Sequence, residues 1–282
     1  MSRATTPRLE TITSRRNPLV ETFRRAARAR PATTILLDGV HLVEEALAAG
    51  VTIEVAAWSE RVLQRNEGRA LARALQAHHV RIVPVSDDVL AAMSPSTTSS
   101  GLVALAHVET IDWQTLASPS LAFVVVAVSV QDPGNLGALV RVADAAGVDG
   151  VVACGHSADP FGWKALRGAM GSAFRVCVVR ERSIQRTLDE LRDRGLRLVA
   201  AGPRGGTMLH ACDFRRPTAV VLGGEGQGLD TAVLGAADEM VTIPMRPPVE
   251  SLNVTVAGAL ILFEAARQRG LVPHDPRFTA VP

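Results

Sequence analysis

The strongest constraint on the fold is a stretch at residues 121–130, LAFVVVAVSV, which is apolar at almost every position. A continuous apolar run of this length is typical of a parallel strand that helices cover on both faces. Further short strands are predicted after it, each separated from the next by a helical segment. They lie at 150–153, 176–179, 196–200, 218–222 and 240–244. This alternation predicts an α/β fold with a parallel sheet.

The part of the chain before this sheet predicts a smaller α/β unit. Strands are predicted at 33–37, 52–58, 80–85 and 102–108, with a helix at 40–49, one long helix from a cap at Ser59 to His78, and a short helix capped by Ser86. Residues 109–120 follow neither period, so we interpret them as a linker. The predicted organisation is a basic arm at 1–30, a small domain at 31–108, a linker at 109–120 and a larger domain at 121–282.

Composition excludes several classes of protein. Lys164 is the only lysine and tyrosine is absent, so neither a Walker A loop nor a Schiff-base lysine in a suitable context is available. The three cysteines lie in apolar contexts, which argues against a disulfide framework and favours a reducing cytoplasm. No apolar run approaches the roughly 18 residues that span a bilayer, so no membrane segment is expected.

Positive charge is concentrated in the arm at 1–30. Eight arginines, among them Arg15 and Arg16, stand against Glu10 and Glu21, which gives the arm a charge of +6 in a chain of net charge +2. A basic arm on a nearly neutral body suits binding to the phosphates of nucleic acid. A solvated amphipathic first helix is an equally good interpretation of the same charges.

The first candidate site follows the strand at 121–130. Pro133, Gly134 and Asn135 predict a tight turn at the carboxyl end of a buried strand, where open α/β sheets bind ligands. Arg141 follows six residues after Asn135, and we expect both side chains to reach one pocket. A turn with a merely exposed arginine is the alternative.

The second candidate site is the segment LGGEGQG at 222–228. Its spacing is not G-x-G-x-x-G, and the carboxylate of Glu225 would oppose a pyrophosphate, so dinucleotide binding is disfavoured. Only 54 residues follow Gly228, too few for the first glycine loop of a classical Rossmann methyltransferase. Close approach by an adenosine ligand and an ordinary flexible turn both fit the segment.

The third candidate site is the segment TIPMRPPVESLN at 242–253, before an apolar helix that is predicted to end near Arg269. Ser251 and Asn253 stand at the start of this helix, where free backbone amides form a polar site. Simple capping by Ser251 is the alternative.

Together and in this order, the three segments resemble motifs one, two and three of the SpoU/TrmH family of SPOUT RNA ribose methyltransferases. The matching residues are Asn135, Gly137, Ala138 and Arg141 in motif one, Gly223, Glu225 and Gly228 in motif two, and Pro244, Glu250, Ser251, Leu252 and Asn253 in motif three. Residues 14–20 and 37–46 are similar to the substrate-binding domain of that family, with Asp38 where many relatives have glutamate. Arg167 resembles a further arginine near the family's active site.

The resemblance implies a parallel-sheet SPOUT domain with a deep trefoil knot, preceded by a smaller α/β substrate-binding domain. It implies a homodimer that binds S-adenosylmethionine (AdoMet), uses no metal and methylates a ribose 2′-hydroxyl of structured RNA, foremost 23S ribosomal RNA. The implied catalytic residues are Asn135, Arg141, Ser251 and Asn253. The implied AdoMet contacts are Gly223, Glu225, Gly226, Ile243, Met245, Ser251 and Leu252. The implied RNA contacts are Arg15, Arg16, Arg141 and Arg167.

Family proposals give the counterpart of Arg141 the role of a base. A guanidinium is normally a hydrogen-bond donor, so we favour orientation of the hydroxyl or the adjoining phosphate and stabilisation of alkoxide charge. A tRNA 2′-O-methyltransferase is one rival, because the basic arm suits tRNA as well. A non-catalytic RNA-binding or assembly factor on the same fold is another, but Asn135 and Arg141, whose loss would mark it, are both present.

Overall fold

The computed structural model of the chain describes residues 10–28, 33–96, 101–109, 122–226 and 228–270. By its internal contacts the chain divides into two units, Met1–Glu109 and Thr110–Pro282. Residues 1–9, 29 and 30 of the predicted arm and residues 110–120 of the predicted linker lie outside the described residues. Within the described part of the chain, no helix is long and apolar enough to cross a membrane.

The first unit alternates helices and strands. Its elements are α1 (Pro18–Arg28), β1 (Thr34–Asp38), α2 (Val40–Ala48), β2 (Thr52–Trp58), α3 (Glu60–Gln64), α4 (Asn66–Ala77), β3 (Arg81–Pro84), α5 (Asp87–Met93) and β4 (Leu102–His107). The described strands form a mixed sheet in the order β1-β4-β2-β3, with β4 antiparallel to both neighbours and β3 parallel to β2. The prediction of a small α/β unit is confirmed.

Helices cover the sheet of the first unit on both faces. The strand β4 is buried from Leu102 to Ala106, so neither of its faces is open to water. Helix α2 packs against α4, and α1 packs against α5. Burial of Val20 and Phe23 attaches α1 to this unit. The second half of the basic arm is therefore an amphipathic helix with a buried side, and α1 is part of the core.

The predicted long helix at 59–78 is wrong. Two helices, α3 and α4, stand in its place because Arg65 between them has an extended backbone, with φ −97° and ψ 147°. The carbonyl oxygens of Leu63 and Gln64 lie at this break, and they accept hydrogen bonds of 2.8 and 3.1 Å from Nη1 of Arg69. A side chain of α4 thus satisfies the end of α3. Ser59 is buried, and its hydroxyl forms no capping hydrogen bond.

The second unit has the predicted strand-helix alternation. Its elements are β5 (Phe123–Val128), α6 (Pro133–Ala145), β6 (Gly150–Cys154), α7 (Trp163–Ala169), β7 (Cys177–Glu181), α8 (Ile184–Asp193), β8 (Arg197–Ala201), β9 (Thr207–Met208), β10 (Thr218–Gly223), α9 (Thr231–Ala236), β11 (Glu239–Thr242) and α10 (Val254–Gln268). Short 3-10 helices lie at Ser172–Phe174 and Leu209–Ala211.

The described strands of the second unit form one parallel sheet in the order β7-β6-β5-β10-β8-β11-β9. Every residue of β5 is buried, as the apolar run at 121–130 predicts for a central strand. Strand β9 escapes sequence prediction because two residues are too short for a periodic signal. The parallel α/β fold is confirmed. The implied trefoil knot concerns the threading of the chain, and it stays a prediction.

Glycines allow α6 to pack closely against two other helices. A Cβ atom at Gly137 would lie 2.1 Å from the carbonyl oxygen of Ala165 in α7, a distance that no real side chain tolerates. A Cβ atom at Gly258 in α10 would lie 2.7 Å from the Leu139 side chain of α6. Close contacts with α7 and α10 therefore fix the position of α6, the helix that carries motif one.

Candidate active site at the carboxyl edge of the second sheet

The three predicted motifs leave the same edge of the second sheet. Motif one follows β5, motif two follows β10 and motif three follows β11. The carboxyl ends of all strands in a parallel sheet lie at one edge, which is where open α/β proteins bind ligands. The topology therefore gathers segments that lie more than 100 residues apart in sequence, since Asn135 and Asn253 are separated by 118 positions.

Motif one opens a helix. Pro133 and Gly134 belong to the first turn of α6, and Asp132 caps that turn by accepting a 2.8 Å hydrogen bond from the backbone amide of Asn135. The predicted separate turn is wrong, because proline at the first helical position after a capping aspartate begins a helix. As a result the half-buried Asn135 is held at a helix N-terminus.

The side-chain amide of Asn135 joins the three motifs. Its Oδ1 accepts a 3.0 Å hydrogen bond from Nδ2 of Asn253, and its Nδ2 donates to Oε1 of Glu225. The Oδ1 atom of Asn253 accepts from the backbone amides of Thr255 and Val256, at 2.9 and 3.3 Å. Since these amides require an oxygen, Asn253 directs its NH2 group at Asn135, which in turn directs its own NH2 group at Glu225. The N-terminus of α10 thus sets the direction of both amides.

The cap of α10 is Asn253, so the alternative of simple capping by Ser251 is wrong. Ser251 and Leu252 are exposed in the segment before the helix. The hydroxyl of Thr255, which sequence analysis did not single out, donates a 3.0 Å hydrogen bond to the backbone carbonyl of Asn135. Motif three is therefore attached to motif one by a side-chain contact and a backbone contact.

The glycine-rich loop of motif two approaches the end of β5 closely. A Cβ atom at Gly224 would lie 2.1 Å from the carbonyl oxygen of Ser129, so only glycine fits there. Gly226 has φ +91°, while a Cβ atom there would meet nothing within 4 Å, which leaves this part of the loop open. Glu225 and Gly226 are exposed, and Gly223 is half-buried at the end of β10. Residue 227 lies outside the described residues.

Apolar side chains and a further loop lie beside motif three. Ile243 and Met245 are half-buried directly after β11. The hydroxyl of Thr242 accepts a 3.0 Å hydrogen bond from the amide of Gly206 and donates a 3.1 Å hydrogen bond to the carbonyl of Gly202. The loop at 202–206 was not predicted, although Gly202 directly follows the strand β8 and two more glycines end the loop, which marks a turn.

Neither predicted arginine of this unit belongs to the hydrogen-bonded link. Arg141 is exposed on α6, and its guanidinium forms no hydrogen bond or ion pair with the described residues. Six residues place it about 9 Å along the helix axis from Asn135 and on a different face. Arg167 is exposed on α7, next to Gly168, where a Cβ atom would lie 3.0 Å from the carbonyl oxygen of Gly134. That contact brings α7 beside the first turn of motif one.

The two predicted RNA-binding arginines of the arm lie just before α1. Arg15 forms a 3.4 Å ion pair with Asp88 at the start of α5, with both side chains largely exposed. Arg16 is exposed. Exposed ion pairs contribute about 0 to 1 kcal/mol, so the contact leaves Arg15 able to exchange its partner.

The cysteines do not supply a nucleophile. Cys154 and Cys212 are buried and Cys177 is half-buried. Burial raises the pKa of Cys154 to about 12 and that of Cys212 to about 11, so both thiols are protonated at neutral pH. Among the residues that the structure describes, no group of three or more His, Cys, Asp or Glu side chains is arranged to hold a metal ion.

Two protein-family models match this chain. A family model described as the SpoU rRNA Methylase family matches residues 122–263, which is half of the chain and includes all three motifs. The chain belongs to the SpoU rRNA methylase family. A second model, the MRM3-like substrate binding domain, matches residues 23–104.

Individual SpoU relatives are similar over nearly the whole chain. The 23S rRNA (guanosine(2553)-2′-O)-methyltransferase RlmP of Bacillus subtilis is 32% identical over 259 residues, which cover 90% of this chain and 98% of the relative. The solved structure of the SpoU methyltransferase AviRb from Streptomyces viridochromogenes, in complex with AdoMet, has a TM-score of 0.80 at 26% identity and covers 91% of this chain and 100% of that one. A solved RNA 2′-O ribose methyltransferase has a TM-score of 0.77 at 34% identity, with coverages of 92% and 99%.

Proposed function

We propose that this SpoU-family chain transfers a methyl group from AdoMet to the ribose 2′-hydroxyl of a guanosine in 23S ribosomal RNA. The observation that carries the proposal is the link from Asn253 through Asn135 to Glu225, which joins the family's three motifs at one sheet edge. The guanosine and the 23S RNA come from RlmP and from the 23S rRNA (guanosine-2′-O-)-methyltransferases RlmB, one of which, from Shewanella oneidensis, is 31% identical over 83% of this chain.

The residues at this edge fit AdoMet. The molecule has a positively charged sulfur, an ammonium group and an adenosine part, and when bound it supplies an electrophilic methyl group. The exposed carboxylate of Glu225 suits the positive charge. Half-buried Ile243 and Met245 and exposed Leu252 offer apolar contact to adenosine, and Gly226 leaves space for close approach. We assign Gly223 and Ser251 to the same site through the family motifs.

The remaining polar groups suit the ribose. The guanidinium of Arg141 has no partner among the described residues, and it orients the 2′-hydroxyl or the adjoining phosphate and stabilises negative charge on the 2′-oxygen. Asn135 and Asn253 keep the site rigid through the link, because each amide has one allowed orientation. Arg167, beside the first turn of α6, is assigned to the flanking RNA phosphate.

We propose a homodimer as the working form. Three apolar side chains of α10, Val256, Leu260 and Phe263, are each 44 to 49% exposed and follow one another at helical spacing. An apolar stripe of this kind on a water-facing helix marks an interaction surface. Light scattering after gel filtration should give about twice the chain mass of 29.8 kDa. The substitution Leu260→Glu should convert the dimer to a monomer, and a wild-type monomer contradicts the proposal.

Two measurements test the proposed activity. Calorimetric titration with AdoMet should show binding, and tritiated methyl groups should enter ribosomal RNA when the protein is mixed with unmodified RNA. Transfer to tRNA instead would favour the tRNA alternative. Binding of AdoMet and RNA without any transfer would favour a non-catalytic assembly factor.

A further inference from the structure

The outer face of α4 carries three arginines in one row. Arg65, at the cap position of α4, Arg69 and Arg73 are all exposed and follow one another at four-residue spacing. Four residues advance a helix by about 6 Å and by little more than one turn, so the three side chains lie along one flank. The opposite side of α4 is buried through Gly68, Leu71, Ala72 and Leu75. We name this row the α4 basic face.

Within α4, no acidic side chain lies in the row that forms the α4 basic face, and Asp87, at the start of α5, is paired with Arg61 of α3 at 2.8 Å. Glu67, the one acidic residue of α4, lies on the other flank of the helix. The guanidinium groups of Arg65 and Arg73 form no hydrogen bond or ion pair with the described residues. Their charges are therefore available to an outside anion.

The middle arginine of the row is held in place. Arg69 donates to the carbonyls of Leu63 and Gln64, at 2.8 and 3.1 Å, and to the side chain of Asn66. These contacts use three of the five N–H groups of a guanidinium and leave two for a ligand. A positioned arginine loses less side-chain entropy when it binds a phosphate than a free one does.

Two arginines in and just before α1 are placed differently. Arg15 is paired with Asp88, and Arg24 donates a 2.9 Å hydrogen bond to the backbone carbonyl of Ala92 in α5. The first turn of α5 carries two aspartates, so α1 lies beside negative charge. The substrate-binding model begins at residue 23, which includes all of α4 and excludes Arg15. Arg25 and Arg28 of α1 are exposed as well, but the α4 basic face has three arginines along one flank, so it is the stronger candidate for phosphate contact in this unit.

We propose that the first unit holds the sugar-phosphate backbone of the substrate RNA on the α4 basic face. The proposal rests on the proposed function in that the ligand is the RNA to be methylated. Arginine suits the task because its planar group binds phosphate through two parallel hydrogen bonds. Contacts of this kind position an RNA without reading its sequence. The face thus contributes affinity, while the site on the second sheet performs the transfer.

The test compares three double variants of the full chain, each of which removes two positive charges. R65Q/R73Q weakens the α4 basic face and keeps the bonds from Arg69 to α3. R16Q/R25Q removes exposed charges from α1 and the residues before it. R215Q/R267Q is the matched control, because its arginines are exposed in the second unit and bind Asp213 and Glu264. Fluorescence anisotropy with a labelled RNA hairpin gives the slope of log affinity against log salt.

R65Q/R73Q should reduce that slope by about 1.4 to 1.8, since each lost phosphate contact removes about 0.7 to 0.9. The control should keep the wild-type slope, and AdoMet affinity should be unchanged in R65Q/R73Q. An unchanged slope in R65Q/R73Q, an equal loss in the control, or a loss confined to R16Q/R25Q overturns the proposal. Methyl transfer by the wild type is measured separately. Transfer together with an unchanged R65Q/R73Q slope refutes RNA binding by the α4 basic face alone. Absence of transfer refutes the proposed function. A wild type that binds the hairpin without salt dependence also refutes the face.

Discussion

Replacing Asn253 by aspartate separates its two tasks. The Oδ1 atom caps α10, and the NH2 group donates to Asn135. Aspartate keeps an oxygen for the cap and is as good a capping residue as asparagine. It has no N–H group to donate, so its second oxygen faces the acceptor Oδ1 of Asn135. Asn253→Asp should therefore leave the helix intact and break the link between motifs three and one.

The expected size of this effect follows from the contacts that change. Loss of a neutral hydrogen bond costs about 1 kcal/mol, and two opposed acceptors cost about 1 kcal/mol more. A total of about 2 kcal/mol corresponds to roughly a 30-fold loss in AdoMet affinity or turnover, because 1.4 kcal/mol is a factor of ten. Asn253 is exposed, so in the free protein the two opposed oxygens turn apart into water, and the cost of about 2 kcal/mol falls on the bound state that needs the linked arrangement. The free energy of unfolding should therefore stay within about 0.5 kcal/mol of the wild type, the usual range for surface substitutions.

The assay combines AdoMet titration, methyl transfer to 23S RNA and urea unfolding. Asn253→Ala is the matched control, because it removes the link and also the cap, which is worth about 1 kcal/mol of stability. We expect loss of function in both variants and loss of stability only in Asn253→Ala. Wild-type affinity and turnover in Asn253→Asp would refute the reasoning, and equal destabilisation of the two variants would show that the cap was lost as well.

Three further predictions concern other parts of the second unit. Arg141→Ala should lower turnover by about 100-fold or more with an unchanged melting temperature, and near-normal single-turnover rates would remove Arg141 from the site. Gly137→Ala places a Cβ atom 2.1 Å from a carbonyl oxygen of α7 and should lower the free energy of unfolding in urea by about 1 to 3 kcal/mol. The control Gly235→Ala, whose Cβ atom meets nothing within 4 Å, should not destabilise the protein. Equal stabilities of the two variants would contradict the packing argument. Arg267 donates two hydrogen bonds to the carboxylate of Glu264, which lowers the pKa of Glu264 from 4.5 to about 2. The contribution of Glu264 to stability is therefore present above pH 4.5 and is lost as the pH falls toward 2. Glu264→Gln should accordingly flatten the pH dependence of unfolding in that window, and an unchanged slope would count against the ion pair.

The sequence predicts which segments meet at the active edge, because the carboxyl ends of parallel strands lie together. It does not predict how they bind one another. The roles of Ser251 and Asn253 show the reason, since both are good capping residues two positions apart and only the structure gives the cap to Asn253. The orientation of the Asn135 amide then depends on that cap, a tertiary contact that no local pattern contains.

Other differences between prediction and structure also come from tertiary contacts. The break between α3 and α4 is stabilised by Arg69, whose position in sequence fits a continuous helix equally well. The charges of the arm at 1–30 fit a phosphate-binding arm and a solvated amphipathic helix equally well, and neither interpretation predicts that Val20 and Phe23 are fully buried. Deletion of the arm would therefore remove core residues. Substitutions of exposed arginines are therefore the cleaner test of RNA binding.

The most direct measurement of the proposed activity is the identity of the methylated nucleoside. Unmodified 23S ribosomal RNA, transcribed in vitro, is incubated with the purified protein and AdoMet, then digested to nucleosides and analysed by mass spectrometry. The proposed function predicts 2′-O-methylguanosine, with the ribose position taken from the SpoU family and the guanosine from the RlmP and RlmB relatives, and Arg141→Ala should lower its yield sharply. A nucleoside methylated on its base, or no methylated nucleoside at all, would contradict the proposed reaction.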